Sequence, residues 1–420
     1  MAQLADMDVL VQPDRVHRDL YTDPDVFDAE MHRIFESTWV FVGHDSEVTN
    51  PGDFKTGWIG RQPFIMSRSD DGSVHVLLNR CMHRGASVCR EETGNARSFR
   101  CIYHGWTYNT RGDLVGVTYK ERYGPNFDQA ALALPRPARV DNYRGFVFAS
   151  MNPSGVSLAE HLGRAKSYID LIVEASPEGK LDVRAGVQKY SFPANWKFQI
   201  ENWTDGYHPN ITHQTAFEAA GPTHKGGSHM GSAATSRTFG RGHCVLDYSS
   251  TRTGKWSALA RKDPDYMDAL KKSWGDNRAA EVLQKDVQLL VFPNLFFQKD
   301  RQHFRVVRPL AHDQTEIYAY PYNLVGAPEK VNREMIAGLA WWASAAGFGQ
   351  PDDVEAFVRC QEGLRVTQAE WLLFLRGIGD EQVDADGEIF GDVTDEIPQR
   401  GMYREWKRLM SASNGNTRRA

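Results

Sequence analysis

Several things are scarce in this chain of 420 residues. Cysteine occurs five times, an odd number spread too thinly for a disulfide framework, so a small bridge-stapled secreted fold is excluded. No apolar run approaches the length of a membrane span, and the opening Met1-Ala2-Gln3-Leu4-Ala5-Asp6 lacks the charged-then-apolar layout of a secretory signal. These absences predict a cytoplasmic protein with no membrane partner. A basic surplus is missing too. The formal net charge is -5, and the acids form no long block, so nucleic acid is not an expected partner. No Gly-x-Gly-x-x-Gly follows a strand-like stretch, which leaves no evident dinucleotide site. Repeats and low-complexity segments are lacking as well.

What the chain does have is a pair of short hooks. Cys81-Met82-His83 and, after seventeen further residues, Cys101-Ile102-Tyr103-His104 each present one thiol and one imidazole. That mixed order suits a two-iron, two-sulfide centre of the Rieske kind, with both thiolates on one iron and both imidazoles on the other. Neutral imidazoles in place of thiolates reduce the negative charge, so such a cluster accepts an electron more readily. Gly85 and Gly105-Trp106 allow tight turns that bring backbone N–H groups toward the sulfurs. A structural zinc site uses the same ligand types, but zinc hooks usually pair like ligands two to four residues apart. The single-residue gap in Cys81-x-His83 favours dividing the ligands between two metals. Cys89, Cys244 and Cys360 stand far apart in sequence and are expected to be free buried thiols.

Around the hooks, residues 41–150 read as short alternating segments punctuated by Pro51-Gly52, Asp71-Gly72, Gly94-Asn95 and Arg111-Gly112-Asp113, the texture of a compact antiparallel β domain. His44 and His75 are read as structural histidines. Ahead of this region, Val26, Phe27, Met31, Ile34 and Phe35 recur at helical spacing within residues 23–39. Behind it, Ser157-Leu158-Ala159-Glu160 is a capping box that starts an amphipathic run to about residue 174. The remainder mixes strands, predicted at 181–192, 288–298, 303–309 and 316–320, with helices at 265–283, 330–346 and 352–374. The polar end from about residue 411 is expected to fray.

A second constellation lies between Asn195 and His213. It packs two imidazoles, two carboxylates and several amides into one run with apolar spacers. A helix starting at Trp196 would place Phe198, Glu201 and Asp205 on neighbouring turns and let Asp205 reach toward His208. His208 and His213 are five apart, so on a regular helix their directions differ by about 140°. Pro209 supplies a reason for the helix to break between them. This differs from the zinc-protease pattern, whose histidines are four apart on one face. Two histidines with a distant carboxylate and open coordination positions form the facial triad that suits non-heme Fe(II) and O2. The acid must come from elsewhere. Asp352, Asp353 and Glu355 follow the Gly349-Gln350-Pro351 interruption, where each also suits the first turn of a helix, and residue chemistry alone does not choose among them.

Both constellations together resemble the large (alpha) subunit of Rieske non-heme iron aromatic-ring-hydroxylating oxygenases, over nearly the whole length from about Asp23 to Met402. Cys81-x-His83 and Cys101-x2-His104 are similar to the family's cluster motif. Asn195-Trp196-Lys197, Glu201-Asn202 and Asp205-x-Tyr207-His208-x4-His213 are similar to its mononuclear iron motif. The spacing of Glu201-Asn202 and Asp205 is one residue shorter than in naphthalene-type enzymes and is similar to the salicylate, terephthalate and related aromatic-acid hydroxylases. The resemblance implies an α+β fold: a small antiparallel β Rieske domain, 41–155, and a larger catalytic domain, 156–420, with an antiparallel sheet flanked by helices in a helix-grip-like arrangement. Residues 1–40 would join the catalytic domain as an arm and helix.

The resemblance further implies that Cys81, His83, Cys101 and His104 hold a [2Fe-2S] cluster and that His208, His213 and Asp353 hold mononuclear Fe(II). Asp205 and Asn202 are the implied catalytic residues. Asp205 would link a cluster histidine of one subunit to His208 of its neighbour in a head-to-tail homotrimer, so that electrons pass along His104, Asp205 and His208. The implied reaction is hydroxylation or cis-dihydroxylation, with O2, of an aromatic ring, an aromatic carboxylic acid of benzoate or salicylate type. NAD(P)H would act indirectly through a separate reductase, with a ferredoxin and a small beta subunit (α3β3) as further partners. Asn202, Phe217, Phe296, Phe297 and Phe348 are candidates for the pocket wall, and Arg305 for pairing a substrate carboxylate. Two rivals share parts of the pattern: a Rieske monooxygenase or demethylase, and a non-catalytic electron carrier.

Overall fold

The computed structural model describes residues 7–219, 233–251 and 263–411. It divides into two compact units, Phe35–Leu158 and a discontinuous one made of Met1–Ile34 with Ala159–Ala420. The second tract therefore resumes a unit that the first tract began.

The unit Phe35–Leu158 is built from antiparallel strands. Val74–Leu78, Gln62–Arg68, Asp53–Ile59 and Thr93–Asn95 form a four-stranded sheet in that order. Its register sets Ile65 opposite Leu77, both fully buried. Alternation then carries their neighbours to the other face. A second sheet places Thr107–Asn109 between Ser98–Arg100 and Leu114–Gly116. Cys81, Cys101, Trp106 and Tyr108 are buried in a core with Ile65, Leu77 and Phe99, so both hooks rise from packed strands. A third sheet places Phe146–Ser150 between Val40–His44 and Arg139–Tyr143. His44 and His75 are hydrogen-bonded to Ser46 (2.8 Å) and Ser73 (2.9 Å).

The other unit is organised by a nine-stranded antiparallel sheet. In chain order its strands are β1 (Gln188–Phe192), β2 (Thr235–Thr238), β3 (Cys244–Asp247), β4 (Val287–Val291), β5 (Leu295–Gln298), β6 (His303–Ala311), β7 (Gln314–Pro321), β8 (Gln382–Val383) and β9 (Ile389–Asp392). In space they run β1-β7-β6-β5-β4-β3-β2-β9-β8. The helices that matter for the site are α1 (Trp196–Trp203), α2 (Pro209–Thr212), α3 (Gln214–Ala219), α4 (Glu329–Trp342), α5 (Gln350–Gly363) and α6 (Ile397–Ser411). Helix α1 is held by a buried ion pair. Lys197 Nζ lies 2.6 Å from Glu30 Oε1, both side chains are fully buried, and the indoles of Trp196 and Trp406 also donate to Glu30.

Several boundaries differ from the sequence expectation. The stretch 181–192 is two strands: Leu181–Asp182 pairs with Asn323–Leu324, and β1 pairs with β7. The stretch 288–298 is the hairpin β4–β5, because Phe292-Pro293-Asn294 interrupts the ladder and proline has no N–H to give it. The run from Ser157 breaks at Gly163, whose φ is 46°, into Leu158–Leu162 and Ala165–Val173. The predicted helix 352–374 stops at Gly363, and Trp371–Leu373 instead pairs with Arg15–His17. Cys89 and Cys244 are buried free thiols, but Cys360 is exposed. The expected fraying after residue 411 lies outside the described residues. Among the described residues no helix is long and apolar enough to cross a membrane.

Candidate metal centres

The two hooks have the same backbone pattern. In each, the cysteine N–H donates to the carbonyl five residues on, Cys81 to Ala86 and Cys101 to Trp106, both at 2.8 Å. The glycine four residues after each cysteine donates back to the cysteine carbonyl, Gly85 at 2.9 Å and Gly105 at 3.0 Å. Both glycines have positive φ, 80° and 70°, which a side chain would resist. The imidazoles meet: His83 Nδ1 and His104 Nδ1 are 3.1 Å apart. His83 also stacks on Trp106, with ring centroids 4.9 Å apart and an interplanar angle of 13°. Tyr108 was not anticipated from the sequence. Its hydroxyl lies 3.4 Å from Cys81 Sγ and accepts from Met82 N–H at 3.0 Å.

Among the described residues, no three of these four side chains bring their ligand atoms within 4.8 Å of one another. Among the described residues, the group of three or more acidic, histidine or cysteine ligands whose atoms all lie within 4.8 Å of one another is His208, His213 and Asp353. A tetrahedral zinc with Cys81, His83, Cys101 and His104 would bring its ligand atoms closer than that. The arrangement instead fits a cluster that separates a thiolate pair from an imidazole pair.

The second group is positioned by broken helices. Asn195 caps α1, its side chain accepting from Lys197 N–H at 3.1 Å, and α1 ends at Trp203. Pro209 occupies the first turn of α2, where its missing N–H costs nothing, so His208 sits at the N-cap and His213 at the C-cap. That break turns both rings to one side, with centroids 5.4 Å apart. Asp353 lies in the first turn of α5 and is buried. Its Oδ1 is 3.5 Å from His208 Nε2 and 3.2 Å from His213 Nε2. Burial alone would raise the Asp353 pKa, but the two imidazoles and the Asn202 amide outweigh it and the pKa is lowered.

The outer nitrogens have carboxylates of their own. Asp352 Oδ2 is 3.3 Å from His213 Nδ1, and Asp205 Oδ2 is 3.4 Å from His208 Nδ1, an ion-pair distance without hydrogen-bond alignment. Asp205 Oδ1 accepts from Tyr207 N–H at 2.5 Å. Burial disfavours protonation of His208, yet Asp205 and Asp353 together raise its pKa. Asn202 donates to Asp353 Oδ1 at 2.9 Å and lies 3.1 Å from His208 Nε2. Glu355 turns away to Arg359 at the surface. Of the wall candidates, Phe217 stacks on Trp342, whose ring packs edge-on against His213 at 5.1 Å. Phe296 faces Trp203, whereas Phe297 points to the opposite side of the sheet against Phe304, and Phe348 is half exposed beside Trp341. Sequence reasoning missed Trp342 and the contact of Asp352 with His213; the adjacent acids Asp352-Asp353 were the available signal.

Two family profiles match the chain. The Rieske [2Fe-2S] domain covers residues 38–137, and the ring hydroxylating alpha subunit (catalytic domain) covers 180–412. The 2-halobenzoate 1,2-dioxygenase large subunit of Burkholderia cepacia is 34% identical over 86% of this chain and 80% of its own. The anthranilate 1,2-dioxygenase large subunit of Acinetobacter baylyi is 32% identical over 94% and 89%. Among solved structures, naphthalene 1,2-dioxygenase with indole bound is 27% identical with a TM-score of 0.87, over 97% of this chain and 95% of that one. These matches define a Rieske oxygenase. The chain belongs to the family of ring-hydroxylating alpha subunits, oxidoreductases that hydroxylate aromatic rings, and carries their [2Fe-2S] domain ahead of the catalytic domain.

Proposed function

We propose that this chain is the terminal oxygenase subunit of a system that hydroxylates or cis-dihydroxylates an aromatic carboxylic acid. The observation that carries this reading is the convergence of His208, His213 and Asp353 in a chain that also bears the paired cysteine–histidine hooks. Relatives named for 2-halobenzoate, anthranilate and toluate support an acid as substrate.

In this proposal Cys81, His83, Cys101 and His104 hold the cluster, and His208, His213 and Asp353 hold Fe(II). Bound there, the cluster supplies single electrons and the ferrous ion supplies a place for O2 reduction. The chain's own groups set up both. Asp352 holds the proton of His213 on Nδ1, which leaves its Nε2 lone pair facing Asp353, and the Asp205 carboxylate, 3.4 Å from His208 Nδ1, favours the same tautomer there by its charge. Asn202 keeps one Asp353 oxygen hydrogen-bonded and so limits how that carboxylate swings. Cys81 and Cys101 are buried, Cys81 beside the Tyr108 hydroxyl, and would keep water from the thiolates of a bound cluster.

The same reading assigns 41–155 to the cluster domain and 1–40 with 156–420 to the catalytic domain of a cytoplasmic protein. It gives NAD(P)H an indirect role through a separate reductase, with a ferredoxin as carrier, and a homotrimer, or α3β3 with a beta subunit, as the working assembly. Asp205 then serves as the bridge from His208 to His104 of a neighbouring protomer. The test is O2 uptake with a matching reductase and NAD(P)H, with product identification across benzoates, salicylates and neutral arenes. Coupled product from neutral arenes and none from any acid would reject the substrate class. Retention of full function in His213→Ala would reject the oxygenase role in favour of an electron carrier.

A further inference from the structure

We infer that Arg305, with Gln350, Gln199 and Trp203, forms a subsite that receives the carboxylate of an aromatic acid beside the His208–His213–Asp353 group. The inference rests on the proposed function and deepens it by naming the residues that read the acid.

Arg305 lies on β6 and is 3% exposed. Its Nη1 donates to Gln350 Oε1 and to the Tyr190 hydroxyl, the latter at 3.2 Å, and its Nη2 to the Ala343 carbonyl at 3.0 Å. The guanidinium sits over the Trp203 ring, 4.8 Å from its centroid. Every one of these partners is neutral. Among the described residues Arg305 makes no ion pair, so a permanent cation is buried with no carboxylate in contact, which is costly unless something supplies one.

The neighbours share its imbalance. Arg305 Nε, Gln350 Nε2, Gln199 Nε2 and Trp203 Nε1 are buried N–H donors with no acceptor among the described residues. They belong to one network, since Tyr190 O–H donates to Gln199 Oε1 at 3.3 Å and accepts from Arg305. A core that merely packed polar groups would balance donors against acceptors. This one has a surplus of donors and one positive charge. A carboxylate accepts only, carries the missing charge and pairs with a guanidinium in two-fold geometry. Water could satisfy single donors but not the charge.

The network is joined to the metal group along the chain at three points. Gln350 opens α5, one turn before Asp353. Trp203 follows Asn202, which donates to Asp353. Ala343 follows Trp342, whose ring packs on His213. Tyr190 also responds to both charges: burial pushes its pKa up to about 12, with Arg305 lowering and Asp353 raising it.

The experiment uses the holoenzyme with its reductase and compares isosteric pairs, benzoate with toluene and 3-methylbenzoate with m-xylene. The wild type should prefer the acid of each pair in kcat/KM. Arg305→Gln should lower that preference by about a hundredfold, mainly through KM, with iron and sulfide content unchanged, and Arg305→Lys should recover part of it. An unchanged acid preference in an iron-loaded Arg305→Gln enzyme overturns the inference. Should that variant fail to fold, wild-type competition decides: benzoate must inhibit toluene oxidation at least tenfold more strongly than benzamide, and equal inhibition overturns the inference. A wild type that oxidises only the neutral partners also overturns it and leaves the oxygenase reading standing. A wild type without mononuclear iron or any aromatic product would instead refute the proposed function itself.

Discussion

Asp352 and Asp353 are adjacent in sequence yet face different atoms of one imidazole. Residue 353 lies 3.2 Å from Nε2 of His213, and residue 352 lies 3.3 Å from Nδ1. Successive helical side chains point about 100° apart, which lets one ring be gripped from both edges. The two should therefore fail differently. Asp353→Ala is expected to lose mononuclear iron and all turnover while keeping the cluster's visible absorption. Asp352→Asn should retain most of the iron and reduce turnover or metal affinity about tenfold to a hundredfold, as loss of a group supporting a ligand does. Iron-to-sulfide ratios and O2 uptake on the same preparations distinguish these outcomes, and indistinguishable variants would contradict the division of labour. The nearest equivalent in the cluster unit is Tyr108, which touches both Cys81 and the N–H of Met82.

At the scale of elements, α1 is positioned less by its own propensity than by Glu30, which accepts from Lys197, Trp196 and Trp406. Removing the acid leaves the lysine charge buried and alone. Glu30→Ala is thus expected to destabilise the protein by about 3–5 kcal/mol, measured by urea unfolding. A loss below about 1 kcal/mol would show that the pair contributes nothing beyond burial. Elements of this kind explain what could be read beforehand. The hooks, the helix beginning at Trp196 and the break at Pro209 were legible because glycine, an asparagine cap and proline act within a few residues. Which of Asp352, Asp353 and Glu355 reaches the histidines was not fixed by residue chemistry, since it depends on how α5 docks against α1 and α2. The strand Trp371–Leu373 was read as helix for the same reason: its partner, Arg15–His17, lies at the other end of the chain. Trp342 gave no local sign of its contact with His213.

At the scale of the molecule, the unit Phe35–Leu158 is one uninterrupted stretch with its own core. Expressed alone, residues 35–158 should fold and assemble a reducible cluster, visible by absorption and electron paramagnetic resonance; a colourless, unfolded product would refute its independence. The other unit is tied across its length by Glu201, whose Oε1 accepts from Tyr21 at 2.6 Å and from Tyr403. Burial pushes this carboxyl up to about 7 from an ordinary 4.5, against the lowering effect of the two tyrosines and Lys197. The native state therefore keeps a proton that the unfolded chain releases above about pH 4.5. The stability this group contributes is complete below that value and declines as pH rises through about 7. Wild-type protein should lose about 2 kcal/mol from it between pH 5 and 8, and Glu201→Gln should flatten that slope in urea titrations at both pH values.

The discontinuous unit also bears on biosynthesis. Arg18 Nε reaches the Leu364 carbonyl across 346 residues of sequence, and the strand beside it closes only with Trp371–Leu373. On the ribosome, the N-terminal arm must wait for nearly the whole chain to emerge, whereas the hook-bearing stretch is complete and able to fold long before. Iron–sulfur insertion can thus precede closure of the larger unit, and a nascent chain stalled midway would already be coloured.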